Sequence, residues 1–154
     1  MPDSDSPGVI VLPPVLFAGT LAIGLLVQWL HPISIWRGAI TLWLGMALCA
    51  ASGWLALWAR RTMKQAGTNI NPLRPATALV TGGPFRFTRN PLYLSLVLLY
   101  LGLTLAVNGL WPLVLFFPLL VVLHYGVIAR EERYLESKFG DAYRNYRASV
   151  RRWL

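Results

Sequence analysis

Arg89, Asn90 and Pro91 stand in a row where a loop meets an apolar run. Asn is a favoured N-cap because its side chain accepts from an unpaired backbone N–H. Pro suits the first helical position, where its missing N–H is not needed. Free N–H groups, the positive end of a helix and the Arg89 guanidinium meet there, an arrangement that suits an anion. The stretch around them, Gly82-Gly83-Pro84-Phe85-Arg86-Phe87-Thr88-Arg89-Asn90-Pro91-Leu92-Tyr93, brackets alternating aromatics and arginines with glycines and prolines. The second place with chemistry is Glu131-Glu132, in the polar continuation of the last apolar run. On a wheel of about 100° per residue, Phe117, Val121, His124, Ile128, Leu135 and Phe139 share one stripe, expected to face inward. Glu131 and Glu132 fall on either side of its Ile128–Leu135 line, while Arg130, Arg133 and Ser137 point away. Two inward carboxylates near a membrane boundary either pair with arginines of the preceding loop or receive cationic or hydroxyl groups of a ligand.

The elements that carry these residues are membrane helices. Of the 154 residues 56% are hydrophobic and 13% charged, against about 25% charged in a soluble domain. Apart from Arg37, no charged residue occurs from Ser6 to Ala59, and none between Asn90 and Ala129. Apolar runs of about 18 residues or more read as transmembrane helices. The expectation is an all-α integral membrane protein, one domain over 1–154, with four spans at about 11–30, 38–59, 91–107 and 111–129. A loop over 60–90 and C-terminal amphipathic helices over 130–154 complete it.

The net charge of +8 is not a nucleic-acid signal. Thirteen of the fourteen basic residues, all but Arg37, fall on one side of the four-span arrangement. This positive-inside pattern puts the loop, both termini and any site built there in the cytoplasm. Met1 to Gly8 carries Asp3 and Asp5 and no basic residue, unlike a cleaved signal, so the first run is expected to be retained.

Thr41, Gly45, Cys49 and Gly53 recur every four residues in the second run and read as a packing face, because small residues let helices approach closely in lipid. Three prolines and an Asn/Thr-rich centre argue against a long helix in the loop. Its apolar residues Ile70, Leu73, Leu79, Val80, Phe85 and Phe87 argue for a folded segment lying over the bundle. Gly140 ends the polar helix and Asp141 can cap the next. Tyr143, Tyr146, Val150 and Trp153 then recur at helical spacing among arginines, as in a helix lying on an anionic membrane surface. His31 and His124 stand apart, and no metal site is expected.

The segment Gly83 to Tyr93 resembles the Arg-His-Pro-x-Tyr region of the isoprenylcysteine carboxyl methyltransferase and phospholipid methyltransferase group. Glu131-Glu132-x-x-Leu135-x-x-x-Phe139-Gly140-x-x-Tyr143-x-x-Tyr146-x-x-x-Val150-x-Arg152-Trp153 is similar to that group's C-terminal signature. The resemblance covers roughly 68–154. It implies an integral-membrane methyltransferase that uses S-adenosylmethionine, releases S-adenosylhomocysteine and lacks a Rossmann domain. Carried over by position, Thr77, Ala78, Leu79, Val80, Phe85, Asn90, Pro91, Leu92 and Tyr93 would line the cofactor pocket, with Glu131 contacting the cofactor. Arg89 and the helix start would receive its carboxylate, and Tyr93 and Phe85 would border its sulfonium.

Two positions depart from the pattern. Asn90 stands where the group usually has His. Val127 stands where the eukaryotic prenylcysteine enzymes carry the arginine that recognises the substrate carboxylate, which argues against a prenylcysteine carboxylate here. The implied acceptor is lipophilic or amphiphilic and reaches the site from the membrane lipids; its identity and the oligomeric state stay open. A carboxylate acceptor needs no base, whereas an amine or thiol would use Glu132 or His124. The competing expectation is a non-enzymatic scaffold or small permease subunit whose inward carboxylates only pair with loop arginines.

Overall fold

Glycines and small side chains, not large apolar ones, make the main helix contact. The computed structural model describes residues 8, 11–71 and 74–153, and among these the regular structure is helical apart from one isolated bridge between Ser34 and Gly109. Residues 1–7, with Asp3 and Asp5, and Leu73 of the loop's apolar set lie outside the described residues, as does the expected placement of the N-terminus. Helix α1, Pro13–Leu30, opens on its two prolines, and α2, Ile40–Gln65, runs on past Ala59 through Arg60, Arg61 and Lys64. Arg, Met, Lys and Gln are good helix formers, so the apolar run ends before the helix does. Helix α3 is Pro91–Ala106 and α4 is Leu110–Leu123.

Between α2 and α3, a Cβ on Gly45 would lie 2.5 Å from the Gly102 carbonyl oxygen, and one on Gly102 would lie 2.7 Å from Cys49 Sγ. Thr41 and Ser52 are buried on the same face, where Ser52 Oγ donates to the Ser95 carbonyl at 2.7 Å. Gly53, expected in this stripe, is exposed with open space beside it. A repeat of four residues gains about 40° per step on a helix of 3.6 residues per turn, so by Gly53 it has left the contact. Ser52, seven residues after Gly45, has not. Gly24 of α1 meets Pro112 of α4 in the same close manner, and Tyr100 packs between Phe17 and Phe116 with its hydroxyl on the Pro112 carbonyl at 2.8 Å.

Helix α4 does not stop at Leu123. A π-helical turn, His124–Ile128, joins it to α5, Ala129–Phe139. The face α4 buries is Phe116, Leu119 and Leu123, followed by Val127 and Ile128, whereas Phe117 and Val121 are 65% and 56% exposed. This corrects the expected inward stripe at Phe117 and Val121, while Ile128 is buried and Leu135 borders a cavity, as expected. Every α4 position is apolar, so a wheel cannot tell core from lipid. The π turn then adds a residue to one turn and shifts the register, so that Glu132 is buried below it.

Among the described residues, three helices are long and apolar enough to cross a membrane: Pro13–Leu30, Ile40–Gln65 and Leu110–Phe139. Helix α3 is apolar but shorter, roughly 24 Å at 1.5 Å per residue. Gly140, at φ 54°, ends α5, and α6 follows at Asp141–Ser149. Asp141 opens α6 without capping it and pairs with Arg144 instead. Tyr143 and Tyr146 are buried in the protein, and residues 150–153 leave the helix as a strap along the start of α3. The expected surface-lying helix therefore turns its tyrosine face to the molecule, because the loop and α3 offer it backbone partners: the Tyr146 hydroxyl donates to the Phe85 carbonyl at 2.7 Å.

Candidate active site

The start of α3 is held by the chain's last residues. The Arg152 carbonyl accepts from Thr88 Oγ1 at 2.9 Å and Asn90 Nδ2 at 3.1 Å, and the Arg89 N–H donates to the Arg151 carbonyl at 3.0 Å. Asn90 occupies the N-cap position and Pro91 the first turn, yet the Asn90 side chain makes no cap bond. Its amide points to the strap, which corrects the expected use of that side chain.

With its backbone fixed, Arg89 turns its side chain toward α5. Its Nη1 lies 3.1 Å from Glu132 Oε1, and Arg152 holds the same carboxylate with Nε at 3.0 Å and Nη2 at 2.6 Å. Glu132 is buried, as expected for a carboxylate with two arginines. Arg89 Nε and Nη1 are buried and have no hydrogen-bond partner among the described residues. The Nη1 contact is thus close enough for an ion pair but is not aligned as a hydrogen bond. One residue away, Glu131 Oε2 accepts from the Tyr93 hydroxyl at 2.6 Å.

The long loop covers these groups. Thr68 Oγ1 accepts from the backbone N–H of Thr77 at 3.1 Å and Ala78 at 3.4 Å. Asn69 Nδ2 donates to the Pro75 carbonyl at 2.7 Å, and the Ala76 N–H reaches the Tyr134 hydroxyl of α5 at 3.1 Å. These bonds satisfy backbone groups that have no ladder or helix to join.

A cavity of about 320 Å³ lies between loop and helices. Of the residues singled out from sequence, Ala78, Leu79, Val80, Phe85, Arg89, Asn90, Pro91, Leu92, Tyr93, Glu131 and Glu132 border it. Thr77 does not: its hydroxyl turns back to the Gly67 carbonyl at 2.7 Å. His124 does not either, and its Nε2 faces Arg152 Nη1 at 3.1 Å. Sequence reasoning passed over Arg60, Met63, Thr68, Tyr134, Tyr143 and Tyr146, which also border the cavity. Tyr143 and Tyr146 carried a signal, their helical spacing, but it was read as a membrane face. Arg60 was read only as topology charge.

Burial, together with the nearby Glu132 carboxylate, pushes the Tyr143 phenol up to about 12, against the lowering influence of Arg89. It is a neutral donor at physiological pH. Arg152 is raised as well, chiefly by its hydrogen bonds to Glu132. The site therefore offers buried cationic N–H groups, a carboxylate with one neutral donor, aromatic faces and apolar walls. A zwitterionic ligand with an aromatic or apolar body fits that set. Among the described residues no group of three or more His, Cys, Asp or Glu side chains is placed to hold a metal ion.

The family model described as phospholipid methyltransferase matches residues 40–142, from α2 into α6. Over 65 residues the chain is 54% identical to an uncharacterized protein of Haemophilus influenzae, covering 41% of this chain and all of that one. Over 125 residues, 72% of this chain, it is 28% identical to the cobalt-zinc-cadmium resistance protein CzcN of Cupriavidus metallidurans. The chain spans 58% of that relative's length. No solved structure matches.

Proposed function

The chain belongs to the phospholipid methyltransferase family, and on that premise we propose that it is an integral-membrane methyltransferase, using S-adenosylmethionine to methylate a lipophilic or amphiphilic acceptor at the cytoplasmic membrane boundary. The observation that carries this reading is the cavity itself, on which the Arg89 guanidinium, Glu131 and Tyr93 converge. Glu132 meets Arg89 at Nη1 alone, through one unaligned contact, which leaves donor capacity on the guanidinium for a ligand's anion.

When bound, S-adenosylmethionine supplies a methyl group activated by its positive sulfur. Arg89 would take the carboxylate of the ligand's amino-acid end. Glu131, oriented by the Tyr93 hydroxyl, would accept from its ammonium or a ribose hydroxyl. Phe85 and Tyr93 would face the cationic sulfur, where aromatic rings favour positive charge. The segment 76–80, seated on Thr68 and Tyr134, would exclude water, and most of the rate would come from holding the acceptor in line with the methyl group.

For an amine or thiol acceptor a base is needed. Glu132 would have to give up Arg152 to take a proton, and His124 stands behind Arg152. Glu131, on the cavity with one neutral donor, is the better placed of the three. With α3 as a fourth crossing, all the basic residues but Arg37 fall on one side, which supports that crossing and a cytoplasmic site. A non-enzymatic membrane subunit would account for the pairing of Glu132, but not for a cavity on which Arg89, Glu131 and Tyr93 converge.

Isothermal titration of the detergent-purified chain with S-adenosylhomocysteine tests the proposal. Saturable binding is expected; no heat at millimolar ligand, with the protein shown helical by circular dichroism, would remove the enzyme reading.

A further inference from the structure

Arg152 does several things at once. Its carbonyl holds Thr88 and Asn90, and its guanidinium takes both oxygens of Glu132, at 3.0 and 2.6 Å. Arg152 does not itself border the cavity. Glu132 and Arg89 both do, and between them only Oε1 and Nη1 approach, at 3.1 Å, without a hydrogen bond.

A buried carboxylate deprived of one arginine turns to the next cation within reach, because an unpaired buried charge is expensive. For Glu132 that cation is Arg89. Arginine and carboxylate match as a two-pronged fork, so Glu132 released from Arg152 would be free to turn its one unaligned contact with Arg89 into a two-oxygen pair.

We propose that Arg152 is a positioning residue: by holding both oxygens of Glu132 it limits that carboxylate to one unaligned contact with Arg89 Nη1 and leaves the rest of the guanidinium to the carboxylate of S-adenosylmethionine. The inference rests on the methyltransferase reading and concerns only the anionic end of the ligand. A lysine at this position would hold Glu132 less well, since an ammonium is a point charge without the planar fork.

The test uses the full chain in detergent and two ligands. S-adenosylhomocysteine carries the carboxylate; 5′-methylthioadenosine keeps the adenosine thioether and lacks the amino-acid end. Arg152→Ala should weaken S-adenosylhomocysteine roughly tenfold, the scale of one charge-assisted hydrogen bond, and change methylthioadenosine by no more than about twofold. Adding Glu132→Gln to Arg152→Ala removes the competing anion and should restore S-adenosylhomocysteine to within about threefold of the unmodified protein. Arg144→Ala, which breaks only the exposed pair with Asp141, should leave both ligands unchanged. Equal losses for the two ligands, an unchanged S-adenosylhomocysteine affinity, or no recovery in the double variant would each overturn the proposal. Should Arg152→Ala fail to fold, Arg152→Lys is read on the same ligand pair, with a smaller loss expected for S-adenosylhomocysteine alone; a loss on both ligands, or on neither, overturns the proposal. If the unmodified chain binds neither ligand, the methyltransferase reading falls and takes this inference with it.

Discussion

The Tyr93 hydroxyl donates to Glu131 Oε2 at 2.6 Å, tying the first turn of α3 to the first turn of α5 across the cavity. Tyr93→Phe removes the donor and leaves the ring in place. S-adenosylhomocysteine affinity should fall about three- to tenfold, the range of an ordinary single hydrogen bond. Glu131→Gln should cost at least as much, because it also removes the carboxylate proposed to meet the ligand's ammonium or a ribose hydroxyl. Titration calorimetry reads both; Cys49→Ala, on the far packing face, serves as the comparison, and an equal effect there would move the site elsewhere.

Gly45→Val places a side chain where a Cβ would already lie 2.5 Å from the Gly102 carbonyl and 2.6 Å from the Ala106 nitrogen. Both neighbours are backbone, so α2 and α3 must separate. A loss of about 1–3 kcal/mol or more is expected, the scale of overpacking. Thermal unfolding in detergent should show a lower midpoint, whereas Gly53→Val, in open space, should unfold as the unmodified protein does.

Thr68→Ala removes the oxygen that accepts from both Thr77 and Ala78. The segment 74–80 should loosen by about 1–2 kcal/mol while the helices keep their stability. Limited proteolysis between 66 and 80 should accelerate several-fold, with ligand affinity falling in parallel. Unchanged cleavage would mean that other contacts seat the segment.

Tyr143 predicts an alkaline signature. Its phenol is held up to about 12 by burial and by Glu132, against ~10 in an unfolded chain. The folded state keeps the proton more tightly, so this contribution is complete below pH ~10 and is lost as the pH rises through about 12. The unfolding midpoint should fall over that window, and Tyr143→Phe should make the fall shallower while leaving the neutral-pH midpoint little changed.

The helices were legible in the sequence because charges bound the apolar runs and because Pro91 and Gly140 mark ends by mechanisms that need no tertiary context. Registry was less so. The π turn at His124–Ile128 has no periodic mark, and in α4 an all-apolar surface hides which side meets lipid. Gly53 looked like Gly45 because a small residue announces a close contact without saying whether a partner is there. At the cavity, residue types such as Arg89, Tyr93 and Glu131 stood out by their chemistry. Thr68 did not, since any of several loop hydroxyls could accept those N–H groups until the loop is folded. The Asn90 cap position was readable, but its side chain answers to a carbonyl 62 residues away.

Thr68 and Asn69 seat the covering segment through hydrogen bonds between neutral partners, while the arginine and carboxylate contacts lie beneath it. Each neutral bond is worth about 1 kcal/mol net, and none of them is screened by salt. Peeling the segment back is therefore a low barrier, indifferent to ionic strength, whereas rearranging the charges below is a high one. On the proposed reading, ligand exchange and electrostatic order would be governed by separate layers of the same loop-and-strap assembly, the first rapid while the second stays rigid.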